Sequence, residues 1–188
     1  MLFWMWVVAA FAGKWDGEPS DVEVTRQLAA APEAIHAQLA DLKKFGTHLP
    51  ADCAKDWQFT SSTAGRGAKA QVTYTFGPLK RKTVATVVED QPGRIFRFEH
   101  EGDKKGFFTQ VTYTEDGSGT MVSLVSFLNP PPWPFTGPFH KKVRPAWTSC
   151  YERTLASVAA AASIGCLLAS VENALNCSSS RFFASLTL

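Results

Sequence analysis

Apolar and polar positions alternate in one stretch of the chain after another. Residues 21–28, DVEVTRQL, set Val22, Val24 and Arg26 on one side and Glu23, Thr25 and Gln27 on the other. This predicts a half-buried strand. Ala31-Pro32-Glu33 then marks a helix start. Proline's missing N–H would be unpaired in a first turn anyway, and a glutamate there complements the helix dipole. Ile35, Leu39 and Leu42 recur at helical spacing until Gly46 and Pro50 close the stretch, as one helix or two short ones. From Trp57 to Leu128 the alternation returns. Ala70, Val72, Tyr74 and Phe76 share one face, and Lys69, Gln71, Thr73 and Thr75 the other. Further strands are predicted over 80–89, 94–100, 107–114 and 120–128, with turns at Gly77-Pro78, Asp90-Gln91-Pro92-Gly93, 101–106 and 115–119. Strands joined this closely pair as antiparallel neighbours. No helical period interrupts them, so a β-α-β architecture is excluded.

The run from Asn129 to Phe135, with four prolines, cannot be strand interior or helix, because proline removes donors and fixes φ. Beyond it Val143, Trp147, Tyr151, Leu155, Val158 and Ala162 recur every three or four residues. They predict one helix with a single apolar stripe, Pro145 lying near its start. The fold class is therefore α+β: a curved antiparallel sheet of about six to seven strands packed on a long C-terminal helix, with two short helices after the first strand. Only that long helix can cover the concave face. Where the sheet bends away from it, space remains for a mostly apolar pocket with a few placed polar groups.

The ends read differently. Residues 1–12, MLFWMWVVAAFA, are apolar throughout but shorter than the ~20 residues of a spanning helix. Ala10-Phe11-Ala12 fits a leader-cleavage pattern, yet no Lys or Arg precedes the run. A leader, a short membrane anchor and an end lying on the domain all stay open. A cytoplasmic or membrane-associated location, or export, is open with them. Residues 1–20 are read as apolar segment and linker, 21–165 as the domain, and 166–188 as a poorly ordered extension.

Composition narrows the classes. With 45% hydrophobic and 19% charged residues the chain can bury a core. A net charge of +2 and small scattered basic clusters lack the one-sided excess of a nucleic-acid binder, so no nucleic-acid partner is expected. The four cysteines, at 53, 150, 166 and 177, have no ligand spacing. They read as buried or incidental thiols, with a disulfide open if the protein is exported. His48 and Cys53 lack further ligands, so no metal site is expected, and no cofactor motif occurs.

The expected lining of the pocket is Tyr74, Phe76, Phe96, Phe98, His100, Val111 and Tyr113 from the strands, with Trp147, Tyr151 and Leu155 from the helix. Trp147 and Tyr151 read as core by default, but core and pocket wall are the same face here, so the two readings overlap. His100 is the one candidate for acid–base chemistry or for orienting a polar ligand group. Its other reading is a strand-end histidine near solvent, beside Glu99 and Glu101. Tyr74 is a ligand handle or a core tyrosine. Arg94 or Arg97 can pair with a carboxylate ligand, though a surface ladder is the commoner role, since arginine is seldom fully buried. No Ser-His-Asp or Cys-His set and no phosphate-cradling glycine loop can be nominated.

Several segments carry a family resemblance: VEVTRQLAAAPEAIHAQLADLKKF with its Ala-Pro-Glu helix start and Asp41, AGRGAKAQVTYTFG, VVEDQPGRIFRFEH, TEDGSGTMVSLVSF, and the final amphipathic helix. Over about 21–162 their succession resembles the SRPBCC (START-like, helix-grip) superfamily, in its polyketide cyclase/dehydrase and lipid-transport branch. The chain departs from that pattern at His36, where members often carry Trp or Phe, and around Thr47-His48, where an aromatic is common. The resemblance implies the helix-grip fold and a small hydrophobic ligand such as a lipid, polyketide or aromatic, bound or transferred between sheet and helix. It leaves open a cyclase/dehydrase-like enzyme and a chaperone-cofactor-like interaction module, and supplies no shared catalytic set. The expected partner is thus a small hydrophobic molecule, with membrane association through residues 1–12 as a further option.

Overall fold

The computed structural model describes residues 22–60, 62–77, 79–101, 107–117, 119–127 and 136–172. Phe76, Leu79, 136–140 and 163–172 are described in backbone only. The apolar N-terminal segment, the proline-rich run, most of the 101–106 turn and the end of the C-terminal extension lie outside the described residues.

In chain order the elements are β1 (Val22–Leu28), α1 (Pro32–Leu39), α2 (Leu42–His48), β2 (Ala54–Phe59), β3 (Lys69–Phe76), β4 (Leu79–Gln91), β5 (Ile95–Glu101), β6 (Phe107–Asp116), β7 (Gly119–Phe127) and α3 (Thr136–Glu172). The strands form one seven-stranded sheet in the order β1-β7-β6-β5-β4-β3-β2. Every neighbouring pair is antiparallel. The meander thus runs from β2 to β7, and β1 closes onto the last strand. The α1–α2 segment carries the chain from one sheet edge to the other. The architecture is the α+β arrangement expected from the periodicity, and the helix-grip fold that the resemblance implied.

Local chemistry explains the breaks. Pro32 opens α1 without a side-chain cap. Asp41 ends that helical run by starting the next. Its carboxylate accepts from the N–H groups of Lys43 and Lys44, at 2.7 and 3.2 Å, and from the Thr63 hydroxyl at 2.9 Å. Such a cap is worth about 1 kcal/mol and separates two short helices where a continuous one was conceivable. Strand β2 was not predicted as a separate element. Asp56 adopts a φ of 58°, and the β2–β3 register shifts between Lys55 and Gln58, so the alternation that would announce a strand is broken. The turn after β4 is tighter than expected: β4 continues through Asp90 and Gln91, and the reversal falls on residues 92–94. Gly93 there has a φ of 67°, and a Cβ would stand 2.7 Å from Glu33 Oε1, so this turn sits directly on the start of α1.

The stripe on α3 is buried as its spacing requires, at Val143, Trp147, Tyr151, Leu155 and Val158. The thiol expectation is overturned for two cysteines. Cys53, in the turn before β2, is joined to Cys150 on α3 by a disulfide closing a sequence separation of 97 residues. Beside it Arg153 forks onto Asp52, with Nη–Oδ distances of 3.0 and 2.9 Å. The covalent staple ties the covering helix to the edge of the sheet where β2 begins.

Candidate functional site

Strand pairing sorts the concave face into rows. One row runs Ala70–Ala85–His100–Phe107, the next Val87–Phe98–Thr109–Ser126, and a third Asp90–Phe96–Val111–Leu124. Tyr74 and Tyr113 lie beyond these rows on the same face by period-2 parity. Tyr74, Phe96, Phe98, His100, Val111 and Tyr113 are buried there, as are Trp147, Tyr151 and Leu155 on α3. Of the ten residues expected at the site, only Phe76 is not placed, its side chain lying outside the described part.

His100 is 4% exposed, so the solvent-side reading is overturned. It sits on an interior strand, stacked on Phe107 with centroids 3.9 Å apart, and meets Tyr74 and Phe98 edge-on at 5.1 and 5.3 Å. Trp147 closes over Tyr74 at 5.2 Å. Neither ring nitrogen of His100 has a hydrogen-bond partner among the described residues. Burial pushes its pKa down to about 3, with the Arg81 charge acting in the same direction. The imidazole is therefore neutral near pH 7, with one donor and one acceptor nitrogen. Burial likewise raises the Tyr74 phenol well above its usual value.

A second feature pins the helix to the sheet. The hydroxyls of Thr109 and Ser126, neighbours across β6 and β7, are 2.8 Å apart. The Tyr151 hydroxyl bonds both, Thr109 at 3.0 Å and Ser126 more closely still. Each hydroxyl can donate to the next around the ring, so all three are satisfied. Burial raises Tyr151 to about 12 against the opposing pull of these bonds. Tyr151 thus holds position rather than offering a free handle.

A third polar group gathers at the far end of β5. The β4–β5 register shifts between Val87 and Glu89, so one extra residue intervenes. Before the bulge the odd-numbered Ala85 and Val87 face inward; after it Asp90, not Glu89, pairs with inward-facing Phe96. Asp90 Oδ1 lies 2.8 Å from His36 Nε2, presented by α1. Tyr113 meets His36 edge-on, with centroids 5.3 Å apart. Burial, with the Asp90 charge second, raises the Tyr113 phenol. Sequence reasoning noted His36 only as a departure and read Asp90 as a turn residue. The available signal was the pair of acidic residues Glu89-Asp90 closing an apolar strand.

The arginines stay outside this face. Arg94 is exposed. Arg97 stacks its guanidinium 4.0 Å from the centre of the Phe108 ring and pairs with Glu99 at 3.1 Å on the convex side. A groove of about 570 Å³ opens there, bounded by Arg66, Glu89, Asp90, Gln91, Arg97 and Glu99. It is charged and open, and contains none of the expected lining residues; the Asp90 side chain is partly exposed along its edge. His48 bonds Ser157 at 3.0 Å, and Cys53 is committed to its disulfide. No cluster of three metal-ligating side chains occurs among the described residues.

The fold recurs in solved structures. The protein TTHA0849 from Thermus thermophilus is similar at a TM-score of 0.62 and 20% identity, covering 79% of this chain and 98% of that one. The di-domain ARO/CYC protein StfQ of the steffimycin biosynthetic pathway is similar at a TM-score of 0.59 and 14% identity, over 76% of this chain and 51% of its own. The Aha1 dimer from Colwellia psychrerythraea follows at a TM-score of 0.52 and 15% identity, covering 77% and 96%. At such identities the likeness concerns the fold alone. No curated protein matches the chain. A family model described as polyketide cyclase / dehydrase and lipid transport matches residues 19–163, nearly the whole of the described region, and the chain belongs to that family, within the SRPBCC superfamily.

Proposed function

We propose that the chain binds a small, largely apolar molecule between the concave face of its sheet and α3, and holds or transfers it there. The observation that carries this reading is the unpaired polar chemistry on a mostly apolar face. His100 offers two buried nitrogens without partners among the described residues. Folded proteins leave few such groups, since each costs about 1–3 kcal/mol. A bound molecule with a polar group supplies what they lack. The family description, naming polyketide cyclisation and lipid transport, supports the same class of guest.

His100 serves in this reading as a hydrogen-bonding handle. A general base works best with a pKa near the operating pH, and a ring held at about 3 is far from it. The Cys53–Cys150 bond belongs to a type that persists in oxidising compartments, and so supports export among the expected locations. Titration of the purified chain with the fluorescent apolar amine 1-aminoanthracene tests the binding proposal. One saturable site, weakened by His100→Leu, is expected. A linear, unsaturable signal would contradict it.

A further inference from the structure

The cluster of His36, Asp90 and Tyr113 is not used by the reading above, and it is a built one. A helix presents His36, a bulge turns Asp90 inward, and β6 supplies Tyr113. The His36 side chain is 9% exposed. A carboxylate only accepts, so the Nε2 that touches Asp90 at 2.8 Å carries the ring proton. In the neutral ring Nδ1 is then an acceptor. It is buried and has no partner among the described residues, and the same holds for the Tyr113 hydroxyl, a donor.

A buried acceptor and a buried hydroxyl, on rings whose centroids are 5.3 Å apart, are both satisfied by a group that donates and accepts at once. A carbonyl or ether would take the Tyr113 proton and leave Nδ1 unpaired. An apolar end would leave both unpaired. We propose that His36 Nδ1 and the Tyr113 hydroxyl form a subsite for a hydroxyl group, an alcohol or phenol, on the enclosed molecule. Asp90 is a positioning residue that fixes the imidazole tautomer. The inference rests on the proposed enclosure of a ligand and narrows its class to hydroxylated apolar compounds. Phe96, beside this cluster, and His100 lie four residues apart on β5, on the order of 13 Å along the strand. A guest of that length with polar groups at both ends would engage both.

Calorimetry with two probes of like shape, 1-naphthol and 1-methylnaphthalene, tests the subsite in the wild type, Tyr113→Phe and His36→Phe. Tyr113→Phe removes one oxygen and keeps the ring, so folding is preserved even if His36→Phe disturbs Asp90. The affinity ratio of naphthol to methylnaphthalene should fall about tenfold in either variant, as for one lost interior hydrogen bond. Methylnaphthalene, which offers no hydroxyl, should lose far less than naphthol. The same ratio in all three proteins would overturn the subsite while leaving the enclosed ligand intact. Should neither probe bind the wild type, the ligand reading is at fault for such aromatics, and a crystal structure of the purified chain decides the subsite alone. One oxygen, of water or guest, within hydrogen-bond distance of both atoms sustains it. A direct bond between them, or protein partners for each, overturns it.

Discussion

Replacing His100 by leucine separates a ligand handle from a structural histidine, because the two roles predict opposite changes. Leucine has nearly the same volume and no polar atoms. Removing the two unpaired nitrogens recovers about 1–3 kcal/mol of desolvation cost for each. Against this stand the ring stacked on Phe107 at 3.9 Å and its edge contacts with Tyr74 and Phe98, each worth about 0.5–1.5 kcal/mol. The ligand-free variant should therefore gain about 1 kcal/mol at pH 7, a rise of about 2–4 °C in Tm for a chain of this size. Its affinity for 1-aminoanthracene should fall about tenfold, by the loss of one hydrogen bond. The pH dependence supplies an independent check. The folded pKa of about 3 lies below the ordinary 6.5, so between these values the unfolded chain holds the extra proton. The contribution is whole above pH 6.5 and is lost as the pH falls toward 3, with a slope of up to about 1.4 kcal/mol per pH unit. Urea unfolding of both proteins from pH 7 to pH 4 should show a steeper loss in the wild type by that slope, the variant keeping only the dependence of groups such as His48, whose pKa burial also depresses. A variant weaker by several kcal/mol, with unaltered probe binding, would refute the reasoning.

Reduction of Cys53–Cys150 releases a loop of 97 residues and should cost about 2–5 kcal/mol. A Tm lower by roughly 10 °C with reductant, alongside two newly titratable thiols, is the expected calorimetric result; an unchanged Tm with the thiols freed would contradict it. Tyr151→Phe breaks the hydroxyl ring and leaves Thr109 and Ser126 one partner short, so denaturant unfolding should show a loss of about 1–3 kcal/mol with little change in probe affinity.

Much of this organisation was readable in advance, and the exceptions share a cause. Tyr74, Phe96, Phe98, His100, Val111 and Tyr113 fall on one face because alternation with period two survives along β3, β5 and β6. The stripe from Val143 to Val158 survives for the same reason at helical period. Prediction failed where a local irregularity changed the parity or where contact depended on the closed fold. The bulge after Val87 moves the inward set from odd to even positions, which brings Asp90 inside and leaves Glu89 out. The bent register at Asp56 hid β2. His36 joins the site from a helix on another layer, so no pattern along its own segment ties it to Tyr113. Cys53 and Cys150 become neighbours only once α3 lies across the sheet. His100 looked exposed because Glu99 and Glu101 flank it, yet they point the other way.

Native mass spectrometry of the chain purified from cells tests most directly whether the sheet and α3 enclose a guest. The account predicts one small apolar compound per chain, carrying a hydroxyl and recoverable in solvent extracts. Bare chains from every preparation, with empty extracts, would contradict it.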